Sequence, residues 1–141
     1  MACELCEADG GKLLWQNGLC LVVSVDEPGL PGFLRVILNR HVREMTDLAE
    51  RDRAAFMAVV FAVEDHVRRC LEPDKMNLAS LGNLTPHLHW HVIPRWRDDR
   101  HFPEPIWGQA QRDVSRPRAT VSDDTLRQAL RKQLYAEENQ G

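Results

Sequence analysis

The stretch His87-Leu88-His89-Trp90-His91-Val92-Ile93-Pro94-Arg95 decides how the rest of the chain is read. Imidazoles and large apolar side chains alternate through it. In a β-strand successive side chains point to opposite faces, with next-but-one neighbours about 6.6–6.8 Å apart. His87, His89 and His91 are therefore expected on one face of a strand over residues 87–93, ended by Pro94. Leu88, Trp90 and Val92 are expected on the other face, packed beneath a helix.

That helix is legible upstream. Phe56, Val59, Val60, Val63, Val67 and Leu71 recur at helical spacing, with Glu64, Asp65, Arg68 and Arg69 on other faces. Asp47 with Glu50 three residues later resembles a capping box, and Pro73 stops the helix. Further upstream, residues 13–16 are a short apolar run closed by the Asn17-Gly18 turn signal. Residues 19–25 are rich in β-branched side chains and predict a second strand. The loop at 27–32 holds two prolines and two glycines, and residues 33–38 predict a third strand. A fourth strand is predicted at 76–81. Ser122 is placed to cap a last helix carrying Leu126, Ala129, Leu130 and Leu134, after an irregular, proline-rich segment at 101–118. The fold class is thus α+β: an antiparallel sheet of about five strands, one long helix packed on it, and a C-terminal tail that is irregular and then helical.

A chain of 141 residues fits one domain, here a core of about 3–97 and a tail of 98–141. The net charge of −3 argues against a general nucleic-acid binder, which needs clustered basic surface. Arg95, Arg97 and Arg100 are interrupted by Asp98 and Asp99. No stretch approaches the roughly 20 apolar residues of a membrane span. The N-terminus has neither the basic flank nor the apolar centre of a signal peptide, so a cytoplasmic location is expected. Thiols stay reduced there, and Cys3 with Cys6 in Cys-x-x-Cys spacing predicts a metal or redox pair before a structural disulfide.

Three histidines on one strand face admit three readings. They are an exposed strand without a role, a metal site built on His-x-His, or nucleophilic catalysis by an imidazole. The metal reading requires a further carboxylate or imidazole, and no glutamate follows His91 within a few residues.

The segment from His87 to Arg95 resembles the defining motif of the histidine-triad (HIT) family: three histidines, the intervening apolar residues and the trailing Pro-Arg. The resemblance extends over roughly residues 3–97, with the meander and long helix in the same order. It implies that His89 is the nucleophile, attacking the α-phosphorus of a nucleotide to form a covalent nucleotidyl-imidazole. His91 would hydrogen-bond the phosphoryl oxygens or the leaving group. The attacking ring must be neutral near pH 7, and its other nitrogen must donate to a fixed acceptor. Asn83 and Thr85, in the short connection before the triad, are candidate contacts to phosphate or ribose, or simply close the turn. Relatives often carry Pro-Gly-His before the third strand. This chain has Pro31-Gly32-Phe33, and Phe33 is assigned to the core.

The resemblance also implies a metal site. Several HIT branches hold zinc with an N-terminal Cys-x-x-Cys, a histidine after the third strand and the first triad histidine. Cys3, Cys6, His41 and His87 match, and two thiolates with two imidazoles form the closed tetrahedral set of a structural zinc. No organic cofactor is implied. The expected activity is hydrolysis of, or nucleotidyl transfer from, a dinucleoside polyphosphate, phosphoramidate or adenylate, in a homodimer. The alternatives are a nucleotide-binding module with little turnover and a metalloenzyme using the triad as ligands. Cys20 and Cys70 are assigned as buried thiols, His66 as solvated and His101 as an inert residue of the irregular tail. Trp96 and Trp107 are assigned to packing of the tail, with base stacking as the other role open to them.

Overall fold

In the computed structural model, residues 3–8, 10–113 and 118–138 are described. A short helix α1 (Glu4–Glu7) leads into strands β1 (Lys12–Gln16), β2 (Cys20–Ser24) and β3 (Leu34–Leu38). Helix α2 (Glu50–Leu71) follows, then β4 (Lys75–Ala79), β5 (His89–Arg95) and helix α3 (Asp123–Glu138). The strands form one sheet in the order β1-β2-β3-β5-β4, with each neighbouring pair antiparallel. This is the α+β architecture expected from the pattern.

Alternation along the central strands divides the sheet into two faces. Val22, Val36, Leu38 and Val92 pack with Phe56, Val59, Val60, Val63 and Val67 of α2 in the main core. Leu126, Leu130 and Leu134 of α3 join that same core. The helix α3 starts as expected, with the Ser122 hydroxyl accepting from the Thr125 backbone N–H at 3.1 Å. The opposite face carries two smaller apolar clusters. One is Leu21, Val23 and Ile37 with Leu5 of α1; the other is Leu30, Phe33 and Ile93 with Trp96 and Ile106.

Turns obey simple local chemistry. The Asn17 side-chain oxygen accepts from the backbone N–H groups of Leu19 and Cys20, closing the β1–β2 hairpin. Gly32 has φ +78°, and a Cβ there would lie 2.3 Å from Leu71 Cδ1. Only glycine lets the loop before β3 cross the end of α2 so closely.

Four expectations about local structure need correction. The capping box of Asp47 and Glu50 does not form. Asp47 ends a separate 3-10 turn (Met45–Asp47), buried Leu48 intervenes, and α2 is capped by Ala49 without a side-chain hydrogen bond. Strand β4 covers Lys75–Ala79 rather than 76–81. Strand β5 begins at His89 rather than His87, the Leu88 N–H turning to the Val42 carbonyl, and Pro94 does not end it: the strand runs on to Arg95, with Pro94 opposite Met76 of β4. Cys70 is exposed, not buried. In the last turn of α2 it faces solvent with Arg68 and Arg69, and the Cys70 thiol meets His66 Nε2 at 3.4 Å.

Candidate active site and metal-ligand cluster

His89 and His91 project from β5 on the face away from α2, into the gap between the two smaller clusters. Cross-strand register puts His89 beside Ile37 and His91 beside Arg35. The two rings stand edge to face, with centroids 5.0 Å apart. His89 Nδ1 lies 2.6 Å from the carbonyl oxygen of His87. A carbonyl can only accept, so Nδ1 carries the proton and Nε2 keeps its lone pair. Burial pushes the pKa of His89 below 6.5; the carbonyl bond opposes this, and the Arg35 and His87 charges reinforce it. For His91, burial with the charges of Arg35 and His89 lowers the pKa to about 4. Both rings are neutral near pH 7. The pair thus offers a free imidazole lone pair beside a second uncharged imidazole, an arrangement suited to nucleophilic attack on an electron-poor centre.

Around His91 the neighbours are aromatic and cationic. Phe33 is core, as assigned, and its ring also meets His91 edge-on at 5.8 Å. Trp107 meets it from the tail at 4.8 Å between centroids, while half of its own surface stays exposed. Trp107 therefore borders the histidine pair. Trp96 packs into the cluster of Leu30, Phe33 and Ile93 and lies under the Arg118 guanidinium at 4.4 Å.

The tail is pinned by a buried ion pair that the sequence did not announce. Arg95, four residues past His91, makes a two-pronged contact with Asp99 at 2.8 and 2.9 Å, and both side chains are 2% exposed. Arg95 also donates to Asn77 Oδ1 and the Glu104 carbonyl, and Arg112 to the carbonyls of Asp99 and Phe102. Burial raises the Asp99 pKa, but bonds from Arg95 and from the N–H groups of Trp96 and Phe102 outweigh it and hold the carboxyl below its ordinary value.

On the other side of the histidine pair, His87 points its ring at the N-terminal segment. Its Nδ1 lies 3.4 Å from Cys3 Sγ and 3.5 Å from Cys6 Sγ, and Cys6 Sγ lies 3.4 Å from His41 Nδ1. Ligand atoms of Cys3, Cys6, His41 and His87 all fall within 4.8 Å of one another, a cluster able to hold a metal ion. Bond lengths of about 2.3 Å to sulfur and 2.0–2.1 Å to nitrogen put tetrahedral S and N ligands about 3.5 Å apart. The donor set fits. His87 Nε2 donates to the Leu38 carbonyl at 2.6 Å, which leaves Nδ1 as the lone-pair nitrogen facing the thiols. Among the described residues no other group of three or more such side chains is placed to hold a metal, and only His87 of the triad is in this one.

Two further candidates lie in the connection between β4 and β5. Asn83 is exposed and Thr85 half-buried; the Thr85 carbonyl accepts from the His87 N–H, closing the turn. His66 is half-buried on α2 rather than solvated, and burial lowers its pKa. Sequence reading missed Arg35. Its parity with Phe33 and Ile37 marks it as facing away from the main core, but only strand pairing shows that it faces His91.

Comparison with known proteins settles the kinship. Residues 9–98 match the HIT domain. The chain belongs to the HIT family. It is 34% identical over 104 residues to a protein of Mycobacterium tuberculosis named AP-4-A phosphorylase, covering 66% of this chain and 53% of that one. It is 25% identical over 95 residues to the asymmetrical bis(5'-nucleosyl)-tetraphosphatase of Schizosaccharomyces pombe, covering 64% and 52%. The HIT chain here thus spans about half the length of the curated relatives it matches. A histidine triad protein from Bradyrhizobium japonicum superposes with a TM-score of 0.69 at 26% identity, covering 88% of this chain and 90% of that one. No helix among the described residues is long and apolar enough to cross a membrane.

Proposed function

We propose that this HIT protein cleaves a dinucleoside polyphosphate by transferring a nucleotidyl group through His89. The observation that carries the reading is the 2.6 Å bond from His89 Nδ1 to the His87 carbonyl, which leaves a neutral Nε2 lone pair beside His91. Nε2 attacks the α-phosphorus, a P–N bond forms, and the P–O bond to the leaving phosphate chain breaks. His91 Nε2 lies on the same face to hydrogen-bond the phosphoryl oxygens or the leaving group as charge develops. Water or inorganic phosphate then displaces the imidazole from phosphorus. The relatives named for tetraphosphate substrates support this substrate class. Asn83 and Thr85 belong to the same reading as contacts to phosphate or ribose.

Cys3, Cys6, His41 and His87 would hold zinc. Four protein ligands leave no open position for substrate, so the ion's chemistry there is structural. Its ligands join α1 to the residue whose carbonyl orients His89. The reading includes a homodimer in the cytoplasm. β4 is an edge strand, and Phe61 and Leu81 are exposed apolar side chains available to a second copy, which sedimentation would detect.

The test is incubation with diadenosine tetraphosphate. Attack at the α-phosphorus releases ATP, with AMP when water is the acceptor and ADP when phosphate is. Label from the α-phosphate should be trapped on the protein in an acid-labile form, and His89→Ala should abolish both the label and turnover by at least about 10³-fold. Nucleotide binding without products would instead identify a binding module.

A further inference from the structure

Arg35 sits on β3 directly across from His91. Its Nε donates to His91 Nδ1 at 3.5 Å, and Nη1 donates to the Gly10 carbonyl at 2.9 Å. Both acceptors are neutral; the exposed Glu4 of α1 attracts the guanidinium, but among the described residues no carboxylate lies within ion-pairing distance of it. The side chain is half-buried.

This placement leaves the guanidinium without a hydrogen-bonded counter-ion. A partly buried charge normally has a partner of opposite sign. Here the hydrogen-bonded partners are instead an imidazole and a backbone carbonyl, and Glu4 attracts the charge without pairing with it. A strut between Gly10 and β3 needs no charge. The guanidinium fork is matched to phosphate oxygens, which it binds with charge-assisted bonds. Its Nε–H can only donate, so His91 Nδ1 must accept and the His91 proton must sit on Nε2. The face next to the His89 lone pair therefore presents a cation and a neutral N–H donor together.

We infer that Arg35 is a phosphate-binding residue of this site, gripping oxygens of the phosphate group addressed by His89 and His91 while its Nε–H holds His91 as an Nε2–H donor. The inference rests on the reading that this histidine pair faces a phosphate. The ligand is a phosphate anion, borne by a nucleotide.

Calorimetric titration separates the possibilities, using wild type, Arg35→Leu and Arg35→Lys with AMP, adenosine and pyrophosphate. Arg35→Leu should weaken AMP and pyrophosphate by about tenfold or more and leave adenosine within about twofold. Equal weakening of AMP and adenosine would make Arg35 a strut, and unchanged AMP affinity would remove it from the site. Should Arg35→Leu fail to fold, Arg35→Lys carries the test, since it keeps the charge but lacks the Nε–H. It should bind pyrophosphate within about threefold of wild type while kcat on diadenosine tetraphosphate falls by about tenfold. Loss of pyrophosphate binding with unchanged kcat would contradict the inference. A wild type that binds pyrophosphate through Arg35 but cleaves no dinucleotide would sink the catalytic reading and leave this one standing. A wild type that binds no phosphate compound sinks both.

Discussion

The backbone carbonyl of His87 accepts a 2.6 Å hydrogen bond from His89 Nδ1, while the side chain of His87 lies 3.4 Å from Cys3 Sγ. One residue thus reaches the metal-ligand cluster through its ring and orients its neighbour through its peptide group. In this arrangement the cluster sets the backbone from which the proposed nucleophile is aimed.

Metal content follows from that link. Protein purified without chelator should carry one zinc per chain by elemental analysis, and His89→Ala should keep it. Cys6→Ser should lose the ion, lower the thermal midpoint by at least about 5 °C and reduce turnover in parallel. A Cys6→Ser variant with full zinc and an unchanged midpoint would remove the cluster from the account.

Trp107, edge-on to His91 and half exposed, is placed to stack a base or a leaving group. Its fluorescence should be quenched when AMP binds. Trp107→Ala should weaken AMP by about three- to tenfold with little change in thermal midpoint. A large stability loss with unchanged affinity would make the ring a packing element of the tail instead.

The Arg95–Asp99 pair is a question of energetics. Removing one partner strands the other charge in the interior, which costs about 3–5 kcal/mol. Urea unfolding of Asp99→Ala should register a loss of that size. Replacing both, as in Arg95→Met with Asp99→Leu, should recover much of it. A single variant as stable as wild type would show that the pair is not the tail's anchor.

His91 makes stability depend on pH with a definite sign. Its folded pKa is about 4, against about 6.5 for an unperturbed ring. Between those values the unfolded chain binds the extra proton, so stability falls as pH drops from about 6.5 toward about 4. The urea midpoint of wild type should therefore fall more steeply over this window than that of His91→Gln. Any acid effect on the Cys3, Cys6, His41 and His87 cluster is common to both proteins and cancels in the comparison. Identical slopes would mean that His91 titrates normally.

The sheet and its long helix were open to reading because each depends on periodicity within one segment. The alternation of His89, Trp90, His91 and Val92 specifies which side chains share a face, and the Val59–Val63–Val67 spacing specifies the buried stripe of α2. Cys3, Cys6, His41 and His87 were gathered by chemical type and resemblance, and the structure brings their ligand atoms together. Where the reading slipped, competing contacts outweighed local propensity. Leu48 is drawn into the core ahead of the helix, so Ala49 rather than Asp47 precedes it. Cys70 continues the heptad spacing of Val63, but in the last turn of α2 Leu71 is the side chain that packs on the core and Cys70 faces solvent with Arg68 and Arg69.

By itself, then, the chain's order of residues determined which side chains face together along a strand or helix, since that is set by local backbone geometry. Only the tertiary structure decided that Arg35 opposes His91, that Arg95 buries itself against Asp99, and that Trp107 returns to the histidine pair. Those neighbours are 56, 4 and 16 positions apart in the chain. They meet through strand register, through a desolvated charge finding its counter-ion, and through a tail held by that ion pair. None of these leaves a periodic trace in sequence.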